Sequence, residues 1–344
     1  MLKWYEQIVP DSDVVISSRV RLARNLETYP FSSKITEEQA VSLVNEVKAI
    51  TNSLSEQENR RFYACNISTL NDIDKTAMVE RHIVSPLLAE KEQTTGLILS
   101  EDETISIMIN EEDHIRIQAI VGGLNLEQAY SEADRIDDIA YEKLHFAYDE
   151  KYGYLTACPT NVGTGMRASC MVFLPALSSA RMIQKLMEEV GKYGVTIRGI
   201  YGEGTKSLGS IYQISNQKTM GISENEIIEN LKRIVYQVVK QERKRREYML
   251  SVNADEIEDQ VFRSYGILKF ARQISSDDAM SLLSQLKLGK DCGLVNFDRE
   301  FNIHKLMMGV QPGSLQWTLG KNVGSLTRDQ SRAEYIRKEL PSII

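Results

Sequence analysis

Arginines spaced to share one strand face are the most distinctive chemistry in this chain. Ser17-Ser18-Arg19-Val20-Arg21 sets two guanidinium groups at i and i+2. In extended backbone they fall on one side, where both can grip the same polyphosphate through paired N–H donors. Taken alone, the pair also describes an ordinary surface strand. Arg116 follows Glu111-Glu112-Asp113-His114, and Arg167 lies in the uninterrupted run Cys158-Pro159-Thr160-Asn161-Val162-Gly163-Thr164-Gly165-Met166-Arg167-Ala168-Ser169. Familiar nucleotide motifs do not explain these residues. Gly199 to Ser207 comes near a Walker A loop, but Thr205 separates the glycine from Lys206, and neither His-Arg-Asp nor Asp-Phe-Gly occurs in the sequence.

To bring these arginines together the intervening chain must form a sheet. Ile105, Ile107 and Ile109 alternate with Ser106 and Met108, and Ile115, Ile117 and Ala119 alternate with Arg116 and Gln118. This period of two predicts half-buried strands, and the short link between them favours an antiparallel pair. Further strands are expected near 154–158, 169–174, 195–201 and 210–214. Helices are expected after the Thr36/Gln39 capping box, over 125–148 and over 176–190. The Ser223/Glu226 box opens another, which ends at Arg243-Lys244-Arg245-Arg246, read as a solvated helix end whose cations suit the macrodipole. Beyond Ser251-Val252-Asn253-Ala254 the texture is all-helical, and the last helix carries its own box, Thr327 with Gln330. The expected fold class is α+β: a mainly antiparallel sheet flanked by helices over residues 1–250, then a small all-helical domain over 251–344. Leu282, Leu283, Leu286 and Leu288 suggest a homodimer formed through those helices.

Composition bounds the remaining choices. The 344 residues are 42% hydrophobic and 26% charged, enough for a substantial core and too apolar for disorder. With 41 Lys+Arg against 48 Asp+Glu the net charge is −7, which argues against sequence-independent nucleic-acid binding. The four cysteines form no Cys-x-x-Cys pair and no metal-ligand cluster with the four histidines. No stretch approaches the roughly 18 apolar residues of a membrane span, and the charged start does not read as a signal peptide. A reduced, cytoplasmic protein without a metal site of its own is expected.

The run from Cys158 to Ser169 closely resembles the signature of the phosphagen kinases, the ATP:guanidino phosphotransferases. Ser-Ser-Arg-Val-Arg and Glu-Glu-Asp-His-Ile-Arg match the same family in the same order, and the resemblance covers roughly residues 13 to 245. It implies ATP and Mg²⁺, with phosphoryl transfer carried by positioning and charge neutralisation. Arg19, Arg21, Arg116 and Arg167 carry over as phosphate ligands, and His82 as a nucleotide contact. The implied ATP-binding segments are Ser17, Ser18, Arg19, Val20 and Arg21; Arg167, Ala168, Ser169, Cys170 and Met171; and Arg198, Gly199, Ile200, Tyr201, Gly202 and Glu203. A guanidinium acceptor, with a pKa above about 12, needs a carboxylate to orient it and take its proton. The resemblance makes this Glu112, and makes Cys158 the family's reactive cysteine.

Departures from the family pattern narrow the substrate. Small-molecule phosphagen kinases carry an extra helical domain before the first arginine motif, whereas only 16 residues precede Ser17 in this sequence. Lys206 stands where the family has a second catalytic glutamate, and Tyr201 where it has a phosphate-binding arginine. These changes, with the helical extension, resemble the bacterial protein arginine kinases. That resemblance assigns the substrate guanidinium to Glu203. It also assigns an allosteric phosphoarginine site to Arg328, Asp329 and Arg332 of Arg-Asp-Gln-Ser-Arg-Ala. The partners it implies are protein substrates with accessible arginines, a zinc-binding activator protein, the heat-shock repressor and a Clp ATPase. The alternatives are a small-molecule guanidino kinase and a non-catalytic phosphoarginine-binding adaptor.

Overall fold

The computed structural model of the chain describes residues 2–9, 12–200 and 207–344. A 3-10 turn at Trp4–Glu6 precedes β1 (Val15–Arg24), α1 (Glu37–Lys48), α2 (Thr51–Gln57) and β2 (Phe62–Asn66). Next come α3 (Asp72–Glu80), α4 (Pro86–Glu90), β3 (Gly96–Ser100), β4 (Ile105–Ile109), β5 (Ile115–Gly122) and α5 (Leu126–Tyr141). A two-residue hairpin, β6 (Tyr148–Asp149) with β7 (Gly153–Tyr154), leads to β8 (Met166–Phe173), α6 (Pro175–Ser179), α7 (Ile183–Gly191), β9 (Val195–Gly199) and β10 (Ile211–Asn216). The chain ends in α8 (Glu224–Phe270), α9 (Ser276–Asp291), α10 (Ile303–Gly309), α11 (Pro312–Leu319) and α12 (Ser325–Glu339).

Among the described residues, eight strands form one sheet in the order β2-β3-β4-β5-β1-β8-β10-β9, with every neighbouring pair antiparallel. The period-two pattern sorts its faces. Val20, Leu22, Ile115, Ile117, Ala168, Cys170 and Ile214 point into an apolar core with α1, α5 and α8 residues such as Leu43, Ile136 and Leu231. Each fully buried Val, Leu or Ile side chain among these contributes about 1.5–3 kcal/mol. The opposite face carries the arginines. One end of that face, at Ile16, Ile120, Met171 and Phe173, is covered by the C-terminal helices through Met280, Leu283, Leu286 and Met307. The fold is therefore α+β, an antiparallel sheet flanked by helices with a helical C-terminal region.

Several elements differ from expectation. The helix expected over 125–148 stops at Tyr141, and Tyr148 enters a hairpin instead. The 176–190 segment is two helices, α6 and α7, broken where Arg181 adopts φ 55°. The strand expected over 154–158 is only Gly153–Tyr154, whereas β8 starts three residues early, which puts Arg167 in the sheet. The basic run is no helix end, because α8 continues through it to Phe270. Arg243 pairs with Asp13, and buried Arg246 donates to Glu242 at 2.8 Å. Around residue 251 the chain lies within α8, whose backbone leaves helical geometry at Asn253 (φ −133°, ψ 37°). Thr327 and Gln330 lie inside α12, whose N-cap is Gly324 without a side-chain cap. Leu283 and Leu286 are buried within the chain, and Leu282 and Leu288 pack against the same core, so these leucines serve intrachain packing.

Candidate active site

Register brings the arginines together. β1 is central, and Arg21 lies opposite Arg167 on β8 while Ala23 lies opposite Arg116 on β5. Two residues back, Arg19 faces Ser169, to whose Oγ its Nε donates at 3.4 Å, and its Nη2 donates to Gln213. Gln213 on β10 in turn faces Arg198 on β9. One cleft is thus lined by Arg19, Arg21, Arg116, Arg167 and Arg198 together with Glu112 and Cys158. Burial, and after it the charges of Arg116 and Arg167, push Arg19 down to about 10. Burial, and after it the charges of Arg19, Arg116 and Arg167, hold Arg21 well below the usual arginine range, and Arg21 Nε is buried with no hydrogen-bond partner. A concave set of crowded guanidinium groups with an orphaned donor is a site that gains from a polyanion.

Each residue of the Glu-Glu-Asp-His turn has a separate task. Glu111 forms a two-oxygen salt bridge to Arg116 and accepts from Ser85 Oγ, and Lys91 Nζ donates to its carbonyl at 2.9 Å. Glu112 faces the cleft. Its carboxyl is held above the ordinary range by burial first and by the charges of Asp113 and Glu111 next, against the opposing pull of Arg116 and the Cys158 thiol, which donates to it. Asp113 accepts from Asn25 Nδ2 at 2.7 Å and from Ala157 N at 2.6 Å, tying this turn to the segment that carries Cys158. His114 Nδ1 accepts from Leu26 N at 2.9 Å, so its Nε2 donates to Pro30 O at 2.8 Å. The neutral ring pins the end of β1, in keeping with its pKa below the usual histidine range, lowered mainly by burial.

The Cys158 loop is held by close backbone approach. Gly163 has φ 109°, and a Cβ there would stand 2.3 Å from Thr219 O. Gly165 has φ 65°, and its Cβ would lie 2.6 Å from Ala23 O. Both positions therefore need glycine. Cys158 Sγ lies 3.1 Å from Thr160 Oγ1, at the rim of the cleft.

Comparison with known proteins follows this geometry. The family model of the ATP:guanido phosphotransferase C-terminal catalytic domain matches residues 42–245, and that of the protein-arginine kinase McsB C-terminal domain matches residues 254–343. The chain is 42% identical to the protein-arginine kinase of Brevibacillus brevis over 98% of this chain and 94% of that one. Against the protein-arginine kinase of Geobacillus sp. the identity is 45%, over 98% and 93%. The chain belongs to the protein-arginine kinase family. As a member it is an ATP-dependent arginine phosphotransferase. Its fold is similar to that of the duplicated taurocyamine kinase of Schistosoma mansoni with bound transition-state analogue components (TM-score 0.62, 25% identity, 69% of this chain). This chain spans 34% of that duplicated one. Lombricine kinase gives a TM-score of 0.60 at 22% identity over 70% of each chain.

The kinase separates the other expected nucleotide residues into groups. Ser17, His82, Ser169 and Met171 line a small pocket that shares Arg19 and Gln213 with the cleft and is walled by Trp4. Burial, then the charges of Arg19 and His304, drives His82 down to about 3, so its ring is neutral. Ser18, Val20, Ala168 and Cys170 are buried on the opposite side of the sheet; Ser18 Oγ donates to Gly123 O at 2.8 Å and accepts from Asn125 N. Gly199 ends β9, and Ile200 packs beside the C-terminal core. Tyr201, Gly202, Glu203 and Lys206 lie outside the described residues. Outside the cleft lining, Arg332 is 1% exposed and donates to Val310 O and Ile274 O, each at 2.8 Å, and to Asp329. Half-buried Arg328 has an Nε without a partner. Gln213, Thr160 and Asn161 line the cleft, and sequence reading missed them. Position 213 shows only as a polar residue alternating with apolar neighbours in β10, and its partners come from other strands.

Proposed function

We propose that this kinase transfers the γ-phosphoryl group of MgATP to arginine side chains of proteins. One observation carries the reading: five arginines, Glu112 and Cys158 line the same cleft. Arg19, Arg21, Arg116, Arg167 and Arg198 bind and orient the phosphates and neutralise the charge that spreads over them during transfer. Among the described residues no His/Cys/Asp/Glu group is arranged to hold a metal. This donor set fits Mg²⁺ carried on the phosphates, where it would supply further charge neutralisation. Glu112 takes a proton from the attacking guanidino nitrogen as the N–P bond forms and the γ-phosphoryl P–O bond breaks, releasing ADP. A carboxylate with a raised pKa is the better proton acceptor for this step. Cys158 donates to Glu112 and sits beside the acceptor. Glu203 holds the substrate guanidinium by family resemblance.

The same resemblance supports a cytoplasmic enzyme, dimeric, that works with a zinc-binding activator, inactivates the heat-shock repressor and marks proteins for a Clp protease. It also supports a phosphoarginine site in residues 251–344. Since Arg332 is committed to backbone carbonyls, Arg328 with Asp329 is the better pair for that ligand.

The deciding assay offers MgATP with free arginine and with a basic protein in parallel, read by mass spectrometry that preserves the acid-labile N-phosphate. Phosphoarginine on protein but not on the free amino acid is expected. Product on free arginine alone would make this a small-molecule kinase, and binding of phosphoarginine peptides without ATP binding would make it an adaptor.

A further inference from the structure

The Cys158 loop has two sides. Thr160, Asn161 and Gly165 line the arginine cleft, whereas Gly163 and Thr164 line a separate groove of about 900 Å³ behind it. Carboxylates dominate that groove: Glu27, Asp137, Asp138, Glu150 and Glu224 against Lys151. Asp137 is only 6% exposed; its Oδ2 takes Arg24, and its Oδ1 has no hydrogen-bond partner. Arg24 neutralises Asp137, so the excess negative charge of the groove comes from Glu27, Asp138, Glu150 and Glu224 against the single Lys151.

Aromatic rings distinguish this groove from a solvated acidic face. Tyr141 at the end of α5 and Tyr148 and Tyr152 of the β6–β7 hairpin are all exposed, Tyr148 at 56%, and all line it. Large exposed rings beside carboxylates suit cations, which gain from both the ring face and the charge. The wall already holds one guanidinium in this way. Arg24 lies 3.5 Å over the Tyr154 ring while its Nη2 donates to Asp137 at 2.7 Å.

We propose that this groove binds the basic segment that flanks the acceptor arginine of a protein substrate. Lysine or arginine side chains a few residues from the acceptor stack on Tyr148 and, in place of Lys151, whose Nζ lies 5.0 Å over the ring, on Tyr152. They meet Glu150 and Glu27, while the acceptor passes the Cys158 loop into the cleft. Charge complementarity selects this occupant, and the assignment rests on the protein-kinase reading above. It gives the enzyme a preference for arginines in basic surroundings, set outside the reacting centre.

The test is binding of a fluorescent lysine-rich peptide containing one arginine to the full chain, followed by anisotropy. Glu150→Lys alone and Glu150→Lys with Tyr152→Ser change exposed side chains, and the melting temperature checks folding. A Kd weakened about tenfold or more in the double variant, with wild-type affinity falling steeply with salt, supports the groove. Unchanged affinity in both variants, or no binding by the wild type, overturns it. Phosphotransfer to the same peptide separates the two readings. Binding without transfer defeats the kinase assignment, and equal transfer to lysine-flanked and neutral-flanked arginine defeats the groove.

Discussion

Arg21 and Arg167 stand directly opposite each other on adjacent antiparallel strands, two like charges in a cross-strand pair. Such pairs destabilise a sheet by roughly 0.2–1 kcal/mol, so the arrangement makes sense as a site whose anion arrives with the substrate. Replacing Arg167 with Met is expected to leave the ligand-free melting temperature unchanged or slightly raised. The rise produced by MgATP in the wild type should vanish, and kcat/KM should fall about 10²–10³-fold, as for loss of one charge-stabilising donor. Thermal unfolding with and without nucleotide checks both halves.

Glu112 and Cys158 should reveal their coupling through pH. Glu112→Gln is expected to lower kcat by about 10²–10⁴-fold. Because the carboxyl is held above its ordinary range, mainly by burial, the wild-type rate should fall on acidification at a higher pH than an ordinary carboxylate, near about 4.3, would give. The Cys158 thiol bond favours the ionised form, so Cys158→Ala should move this acid limb to still higher pH. A profile of kcat against pH for both proteins measures the shift and its sign.

The catalytic and C-terminal parts are joined by a carboxylate. Glu80 at the end of α3 accepts from Gly313 N at 2.8 Å and Ser314 N at 2.6 Å, capping the start of α11. Glu80→Ala would remove two charge-assisted bonds worth about 1.5–3 kcal/mol in net stability. Glu80→Gln, which keeps one acceptor oxygen, should lose less. Urea unfolding of the three proteins compares them.

Arg328 and Arg332 should behave differently despite sharing one motif. Arg332→Ala strands two buried carbonyls and should destabilise the fold by about 2–4 kcal/mol. Arg328→Ala should leave stability nearly unchanged while abolishing activation by phosphoarginine-bearing protein. Denaturant midpoints and rates with and without that protein separate a structural arginine from a binding one.

Local chemistry was legible in the chain. Arg19 and Arg21 share a face because strand side chains alternate with period two, and the short Glu111–His114 link makes β4 and β5 antiparallel neighbours. The Thr36 and Ser223 capping boxes form as expected, since each closes within four residues. Thr327 with Gln330 fit the same pattern but lie inside a helix that begins at Ser325, because a cap motif is one of several starts a helix can use.

What the sequence determined by itself is the content of the site: which residue types are present and which neighbours in the chain share a face. The pairing of Arg21 with Arg167, the place of Gln213 beside Arg19, the burial of Arg332 and the tyrosine groove were decided only by tertiary structure. Strand register and helix docking depend on contacts between segments far apart in the chain, where the same local pattern permits many partners. Alternation shows which way a side chain points along its own strand. Only the folded sheet determines what stands opposite.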